Sequence, residues 1–381
     1  MLSIFKIFFA LGWVSFGGPA AHIGYFRRTF VEQKQWLSDD EYAQLVALSQ
    51  FLPGPGSSQV GFAIGYHKGG LSGAISAFLG FTLPSVLLML LLAIISHQFI
   101  DTPLFDCIIH GLKLLAVVVV ADAIWGMYRS FCTTTTKVTL CISTAVAILI
   151  FPSMLTQMAL LAATALIGFL TRDKHHAKPH QRFTPNYWPL ILFIGLLIVP
   201  PLFNSVSSTI PIFNAFFQAG SLVFGGGHVV VPLLQNIVGD QLQPDMFITG
   251  YAAAQAVPGP MFSLATFLGY QLSNEAPLLG AAVATVAVFL PGFLLLLVVL
   301  KKWTTLSEYP AVAGALSGVN AAVVGLLIAA LYQPIFSSSV LSPIDMALIL
   351  IGWFLLKVLK LPILALVAFF IISGVVQYLV I

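Results

Sequence analysis

Charge is what this sequence has least of: only 8% of its 381 residues are Asp, Glu, Lys or Arg, against a hydrophobic share of 59% and a mean hydropathy of +1.00. A soluble domain carries roughly a quarter charged residues, so soluble classes are excluded. The net charge of +3 matters less than where the charges fall. Cysteine is nearly as scarce. Cys107, Cys132 and Cys141 are odd in number and lack metal or redox spacing, so they read as small apolar fillers and not as a disulfide framework. No Gly-x-x-x-x-Gly-Lys-Ser/Thr occurs, which removes a phosphate-binding loop and any ATP-driven cycle. No metal-ligand cluster and no Ser/His/Asp arrangement has usable spacing. An enzyme, a metal site, a cofactor and a nucleic-acid partner are therefore not expected. A cleavage-like site is also missing from the apolar N-terminal run, which leads straight into Phe16-Gly17-Gly18-Pro19 and reads as mature structure.

What the chain does have is apolar length. Several runs reach the ~20 residues needed to cross the hydrocarbon core. The expected fold is an all-α polytopic protein of the cell membrane, a bacterial inner or plasma membrane, with the lipid bilayer as its main surrounding. Short runs at 2–16, 38–52 and 56–66 precede a longer one at 70–96, which Pro84 should interrupt. Ser38, followed by Asp39, Asp40 and Glu41, is the expected N-cap of the 38–52 helix. Further runs lie at 107–128, 138–151 and 153–170, and beyond a basic linker at 187–203, 210–224, 246–257, 260–271, 276–300, 310–331, 343–356 and 361–380.

One stretch organises the rest. Gln50-Phe51-Leu52-Pro53-Gly54-Pro55-Gly56-Ser57-Ser58-Gln59 cannot continue a helix, because both prolines lack an N–H and restrict the residue before them. In so apolar a chain such a break is tolerated only where its backbone faces protein or a cavity. It recurs as Gln255-Ala256-Val257-Pro258-Gly259-Pro260-Met261-Phe262-Ser263. Phe16-Gly17-Gly18 recurs as Phe224-Gly225-Gly226, Gly65-Tyr66 as Gly269-Tyr270, Leu83-Pro84 as Leu290-Pro291 and Gly111 as Gly318. These offsets all fall between 204 and 208. The expected division is a first repeat at 1–170, a basic cytoplasmic linker at 171–186, an inverting span at 187–209 and a second repeat at 210–381.

Positive charge orients the spans. Arg172, Lys174, Lys178 and Arg182 put the linker in the cytoplasm, together with Arg27, Arg28, Lys34, His67, Lys68, Arg129, Lys137, Lys301, Lys302, Lys357 and Lys360. No Lys or Arg lies between Arg182 and Lys301, so Asp240, Asp245 and Glu275 fit the outside. Threading these constraints makes 70–96 run outward and 276–300 run inward. Two inverted-topology repeats with broken or re-entrant helices follow, the plan of many secondary transporters, whose site lies at the repeat interface. With no ATPase present, an ion gradient must supply the energy.

Helices that start after such breaks present free N–H groups and a positive dipole end, which suits an anion. Gly17, Gly18, Gly54, Gly56, Gly225, Gly226 and Gly259 are expected to shape the breaks; Gln50, Ser57, Ser58, Gln255 and Ser263 are the expected ligands. For a lone Ser or Gln the ordinary reading is interhelical hydrogen bonding; the matched pair of breaks favours a site. Lys113 and Arg27 are the candidate fixed cations, although a lysine can snorkel and Arg27 can be a positive-inside anchor. His22, His228 and Asp122 are the candidates for proton coupling. A simple hydrogen-bonded histidine, or an interface ion pair of Asp122 with Arg129, is the alternative. Small residues at Gly61, Gly65, Gly69 and Gly73 indicate close helix packing and leave a homodimer open.

These residues carry a resemblance. Phe16-Gly17-Gly18-Pro19-Ala20-Ala21-His22-Ile23, Trp36-Leu37-Ser38 and Gln50-Phe51-Leu52-Pro53-Gly54-Pro55 resemble the chromate ion transporter family in its long, two-domain form. So do FGGGHVVVPLL at 224–234, AAQAVPGP at 253–260 and FLPGF at 289–293. The resemblance implies export of chromate, with sulfate as a similar small oxyanion, coupled to protons and giving chromate resistance. It also implies acids where this chain has Thr29 and Gln235, and those two departures bear on the coupling. The residues alone leave a passive oxyanion channel, an importer of sulfate-like anions and a membrane scaffold as alternatives.

Overall fold

The computed structural model describes residues 1–16, 18–99, 103–171, 185–204, 207–223, 230–238, 241–242, 244–300 and 310–380. Among the described residues every regular element is helical. The chain is an all-α membrane protein. In the first half the α-helices are α1 (Leu2–Val14), α2 (Gly18–Phe26), α3 (Asp39–Phe51), α4 (Gly56–Phe99), α5 (Pro103–Phe131), α6 (Thr135–Ile150) and α7 (Met154–Leu170). They continue with α8 (Tyr187–Ile198), α9 (Thr209–Leu222), α10 (Val230–Val238), α11 (Pro244–Ala256), α12 (Leu264–Leu272) and α13 (Pro277–Val299). The last three are α14 (Pro310–Ala330), α15 (Pro343–Lys357) and α16 (Ile363–Val380). The basic linker and Lys301–Lys302 lie outside the described residues.

Local chemistry explains the element ends. Ser38 caps α3 by a capping box: its hydroxyl accepts from Glu41 N at 3.2 Å, and Ser38 N donates to Glu41 Oε2 at 2.8 Å. The helix stops where Pro53 follows Leu52, which is already extended at φ −88° and ψ 149°. Between α1 and α3, α2 passes directly into a π-helical turn, Arg27–Gln33.

α4 is two helices in one. Its backbone leaves the helical region at Gly69 and Gly70, the latter at φ +60°, and the backbones of Gly65 and Gly73 meet face to face. The arms 56–68 and 71–99 therefore fold back as a hairpin. Pro84, expected to interrupt the longer arm, is carried inside it. The second half builds the same device from α12 and α13, with Gly269 against Gly280 and Pro291 inside the longer helix. Among the described residues, four stretches are long and apolar enough to cross a membrane: Gly56–Ser96, Cys107–Phe131, Pro277–Val299 and Ala311–Ser339. The longer arm of α4 exposes Leu71, Ile75, Leu79, Leu83, Leu87 and Leu91, one residue per turn, as a lipid-facing stripe needs.

Contacts between helices come in matched sets. Gly12 of α1 packs against Phe81 and Pro84 of α4, as Gly220 of α9 packs against Val288 and Pro291 of α13. Farther along, the halves exchange partners. Gly111 of α5 meets the backbone of Phe370 in α16, whereas Gly318 of α14 meets Thr164 in α7. Each half's central helix is thus closed by the other half's last helix. His110 of α5 adds to one exchange by bonding Asp345 at the start of α15, Nε2 to Oδ1 at 2.8 Å. Asp345 is 2% exposed, accepts from Leu341 N and Ser342 N as a cap, and also accepts from Gln377 of α16 at 3.4 Å.

Candidate functional site at the crossed helix breaks

The two Pro-Gly-Pro breaks do not face each other as free ends. Each is tied to the other half. Gly54 N donates to Val223 O at 2.6 Å, and Gly259 N donates to Ser15 O at 2.9 Å. Val223 and Ser15 each precede a Phe-Gly-Gly, so each Pro-Gly-Pro is bonded to the end of the helix before the opposite Phe-Gly-Gly. Both glycines hold a positive φ, +119° at Gly54 and +97° at Gly259, a region costly for other residues. Each also lies against the proline kink of the opposite half. A Cβ on Gly54 would stand 2.8 Å from Gly292 Cα, and one on Gly259 3.0 Å from Ser85 Oγ.

Side chains gather around these crossings. His22 of α2 is fully buried; its Nδ1 lies 3.1 Å from Ser57 Oγ and its Nε2 3.1 Å from Ser15 O. Phe81 stands edge-on to the imidazole at 5.2 Å. Gln59, also fully buried, donates from Nε2 to Pro53 O at 2.9 Å and to Gly292 O at 3.0 Å, so it ties one break to the kink opposite. Ser85 Oγ donates to Thr82 O at 2.8 Å. Five buried polar atoms here find no partner among the described residues: Ser15 Oγ, Ser58 Oγ, Gln59 Oε1, Thr82 Oγ1 and Ser263 Oγ. An orphaned buried polar group costs about 1–3 kcal/mol, so these atoms have hydrogen-bonding capacity left over for a polar ligand or ordered water.

Of the expected site residues, the structure brings Gly54, Gly259, Ser57, Ser58, Ser263 and His22 to the crossings. Gly56 opens α4 against Ser49 O, and Gly18 begins α2 at φ +75°. Gln50 closes α3, just before the first Pro-Gly-Pro. Gln255 is buried, 8% exposed, in the last turn of α11, bonded to the Tyr251 side chain. Gly17, Gly225, Gly226 and His228 lie outside the described residues. Lys113 is buried in α5 at 8% exposure. Arg27 is exposed and held by Glu32 at 2.5 Å and Asp39 at 2.8 Å, an arrangement of the surface and not of the breaks. Asp122 pairs with Lys357 of α15, not with Arg129. Sequence reasoning placed Gln59 in the first break without assigning it partners, and missed Ser15, Thr82 and Ser85. The last two flank the repeated Leu83-Pro84, which was the available signal.

The sequence model of the Chromate transporter family matches the chain twice, over residues 2–169 and 210–377. A chromate transport protein of Cupriavidus metallidurans is 28% identical over 323 residues, covering 84% of this chain and 79% of the relative. A probable chromate transport protein of Synechococcus elongatus is 28% identical over 335 residues, 84% of this chain and 81% of its own. An uncharacterized transporter of Methanocaldococcus jannaschii is also 28% identical, over 339 residues, 86% and 83% of the two chains. No solved structure matches the chain. Two matches of one family model, covering nearly all of a multi-pass helical chain, leave one conclusion: this protein belongs to the chromate transporter family.

Proposed function

We propose that the protein is a secondary transporter that exports chromate, or a similar tetrahedral oxyanion, across the cell membrane in exchange for protons. The observation that carries this reading is the reciprocal pair of hydrogen bonds, Gly54 N to Val223 O and Gly259 N to Ser15 O. Reciprocal contacts between matched positions are what a two-fold relation between halves produces. With the Lys/Arg distribution, they support two inverted repeats meeting at their breaks. The arm 56–68 is about 20 Å long and α12 is shorter, so neither crosses a ~30 Å core alone. Their starts, which carry the breaks, then lie at membrane depth. There the first turns of α4 and α12 offer N–H groups, and Ser58, Ser263, Ser15 and Thr82 offer hydroxyls, to the oxygens of an anion. His22, hydrogen-bonded to Ser57, is the proton carrier this arrangement favours.

The test is chromate uptake into inside-out vesicles, with and without an imposed pH gradient. Uptake that follows the gradient, and is lost in the double variant Ser57→Ala/Ser263→Ala, is the expected result. Uptake indifferent to the gradient would mean a passive channel, and an unaffected double variant would move the site elsewhere.

A further inference from the structure

Away from the breaks, α5 and α15 are joined at both ends. His110 Nε2 lies 2.8 Å from Asp345 Oδ1, and Asp122 pairs with Lys357. Both pairs lie at the same separation along the chain, 235 positions, so the two helices run parallel and in register. About 18 Å of helix separates one pair from the other. The Asp122–Lys357 pair is partly exposed and already carries both charges. The His110–Asp345 pair is different. Asp345 is 2% exposed, and the groups that reach it are donors: Leu341 N and Ser342 N to Oδ2 at 3.0 and 2.8 Å, and Gln377 Nε2 to Oδ1 at 3.4 Å, beside the imidazole. Such a shell suits an ionised carboxylate. While His110 is neutral, the pair therefore carries a net charge of −1, and a buried charge without a counter-charge is costly in a membrane protein. A proton on His110 takes the pair to zero and makes its bond charge-assisted. The His110 side chain is 23% exposed against 3% for Asp345, so the imidazole is the end a proton can reach.

We propose that the His110–Asp345 pair is a proton-binding site at the outer side of the membrane, His110 taking up there a proton that is exchanged for the exported anion. This rests on the proton-exchange reading above and deepens it. His22 is fully buried at the crossings, whereas an exchanger also needs a group that meets the outer pH. Arg129 and Lys357 mark the cytoplasmic end of α5 and α15 on the topology that the Lys/Arg distribution supports, so His110 and Asp345 stand at the opposite end. The proton comes from outer water, rests on Nε2 against Oδ1, and leaves toward the cytoplasm. While bound it strengthens a contact between α5 of the first half and α15 of the second. That gives its presence a way to favour one arrangement of the halves over another. The helices packed against α5 bring few other candidates. Asp106, Cys107, Lys113, Asp122 and Arg129 lie on α5 itself, Asp245 and Tyr251 on α11, Lys357 on α15, Tyr378 on α16 and Tyr332 in the turn after α14; α14 has no titratable residue. Of all these groups only His110 is an imidazole, the side chain that changes charge between pH 5 and 8.

The test is chromate uptake by the full-length protein in inside-out vesicles, whose lumen meets the outer face. The bath is held at about pH 8 and the lumen is set at about pH 8 or about pH 6, a range across which an imidazole gains its proton. In the wild type the acid lumen should raise the initial rate on the order of tenfold, as the protonated share of an imidazole rises. His110→Gln keeps an N–H donor for Asp345 but takes no proton, and its response should fall below about twofold. Asp345→Asn keeps the cap and removes the charge that the proton neutralises, so it should lose the response as well. Lys357→Gln breaks the other pair and should respond as the wild type does, a contrast that a merely structural clamp between α5 and α15 would not produce. A wild-type response in His110→Gln would overturn the proposal, and so would loss of the response in Lys357→Gln. If one of the two variants at the pair fails to accumulate, the other carries the test; failure of both would mark the pair as structural and overturn the proposal too. A wild-type protein indifferent to lumen pH would overturn the proton-exchange reading itself, and this site with it.

Discussion

The two breaks share a backbone and little else. In the first half Ser15, His22, Ser57, Gln59, Thr82 and Ser85 surround the crossings; the matched positions in the second half are Val223, Val230, Phe262, Leu264, Phe289 and Gly292. Only Ser58 keeps its kind, as Ser263. The local fold differs too. α4 starts as α-helix at Gly56, whereas a 3-10 turn at Met261–Ser263 precedes α12. Both breaks keep what the geometry requires, a left-handed glycine between prolines and a carbonyl to receive its N–H. The polar chemistry has been left to one side. The ligand should therefore sit nearer the first half's side chains than a symmetric site would place it.

The sharpest way to break this comparison is to attack the shared backbone. Gly54→Ala must place a Cβ against Gly292 Cα in a left-handed region, with no flexible atom to give way. Backbone strain of about 1–3 kcal/mol adds to that clash, and loss of transport with a lowered melting temperature is expected. Gly259→Ala meets a serine side chain that can move, so its thermal shift should be the smaller of the two. Next come the one-sided polar groups. His22→Val, which installs the residue at the matched second-half position, should cut the initial rate of chromate uptake by on the order of tenfold or more with expression unchanged, as expected for a positioned proton-transfer group. The matched serines test the remaining symmetry: Ser58→Ala and Ser263→Ala should raise the apparent KM by similar factors, each worth about 1 kcal/mol. Away from the breaks, Asp345→Ala removes a cap and the His110 contact and should cost roughly 1–3 kcal/mol of stability, with KM unmoved. Smallest of all, Arg27→Gln breaks only an exposed ion pair, worth about 0–1 kcal/mol, and should leave uptake near wild type. A large rise in its KM would restore Arg27 to the site.

Much of this was legible beforehand because proline, glycine and a capping serine act through local rules. Pro53 ends α3, Ser38 starts it and the Pro-Gly-Pro pair announces a break without reference to the rest of the chain. His22 and Ser57 could be named as candidates, but not as partners, since 35 positions separate them and only the turn of α2 back onto α4 joins them. Gln59 was named within the first break, but its role was not legible because it lies in two carbonyls, one of them 233 positions away. Asp122 was a proton-coupling candidate, with an ion pair to Arg129 on its own helix as the alternative; its ion-pair partner, Lys357, arrives from a distant helix. Arg27 looked like a cation for a substrate until Asp39 and Glu32 claimed it. Arg27's partners lie only 5 and 12 positions away, but in the other misses the deciding contact was long-range, and periodicity carries no information about such contacts.

The exchange of last helices has a consequence for synthesis. α5 precedes α16 by more than 200 residues, yet the surface around Gly111 is closed by α16, which is made long after it. Until then α5 has a small-residue face turned to lipid or to whatever helper attends the nascent protein. A chain cut after α15 would keep every break and still leave that face open. Packing of α16 onto α5, not assembly of the first half alone, is what closes that face.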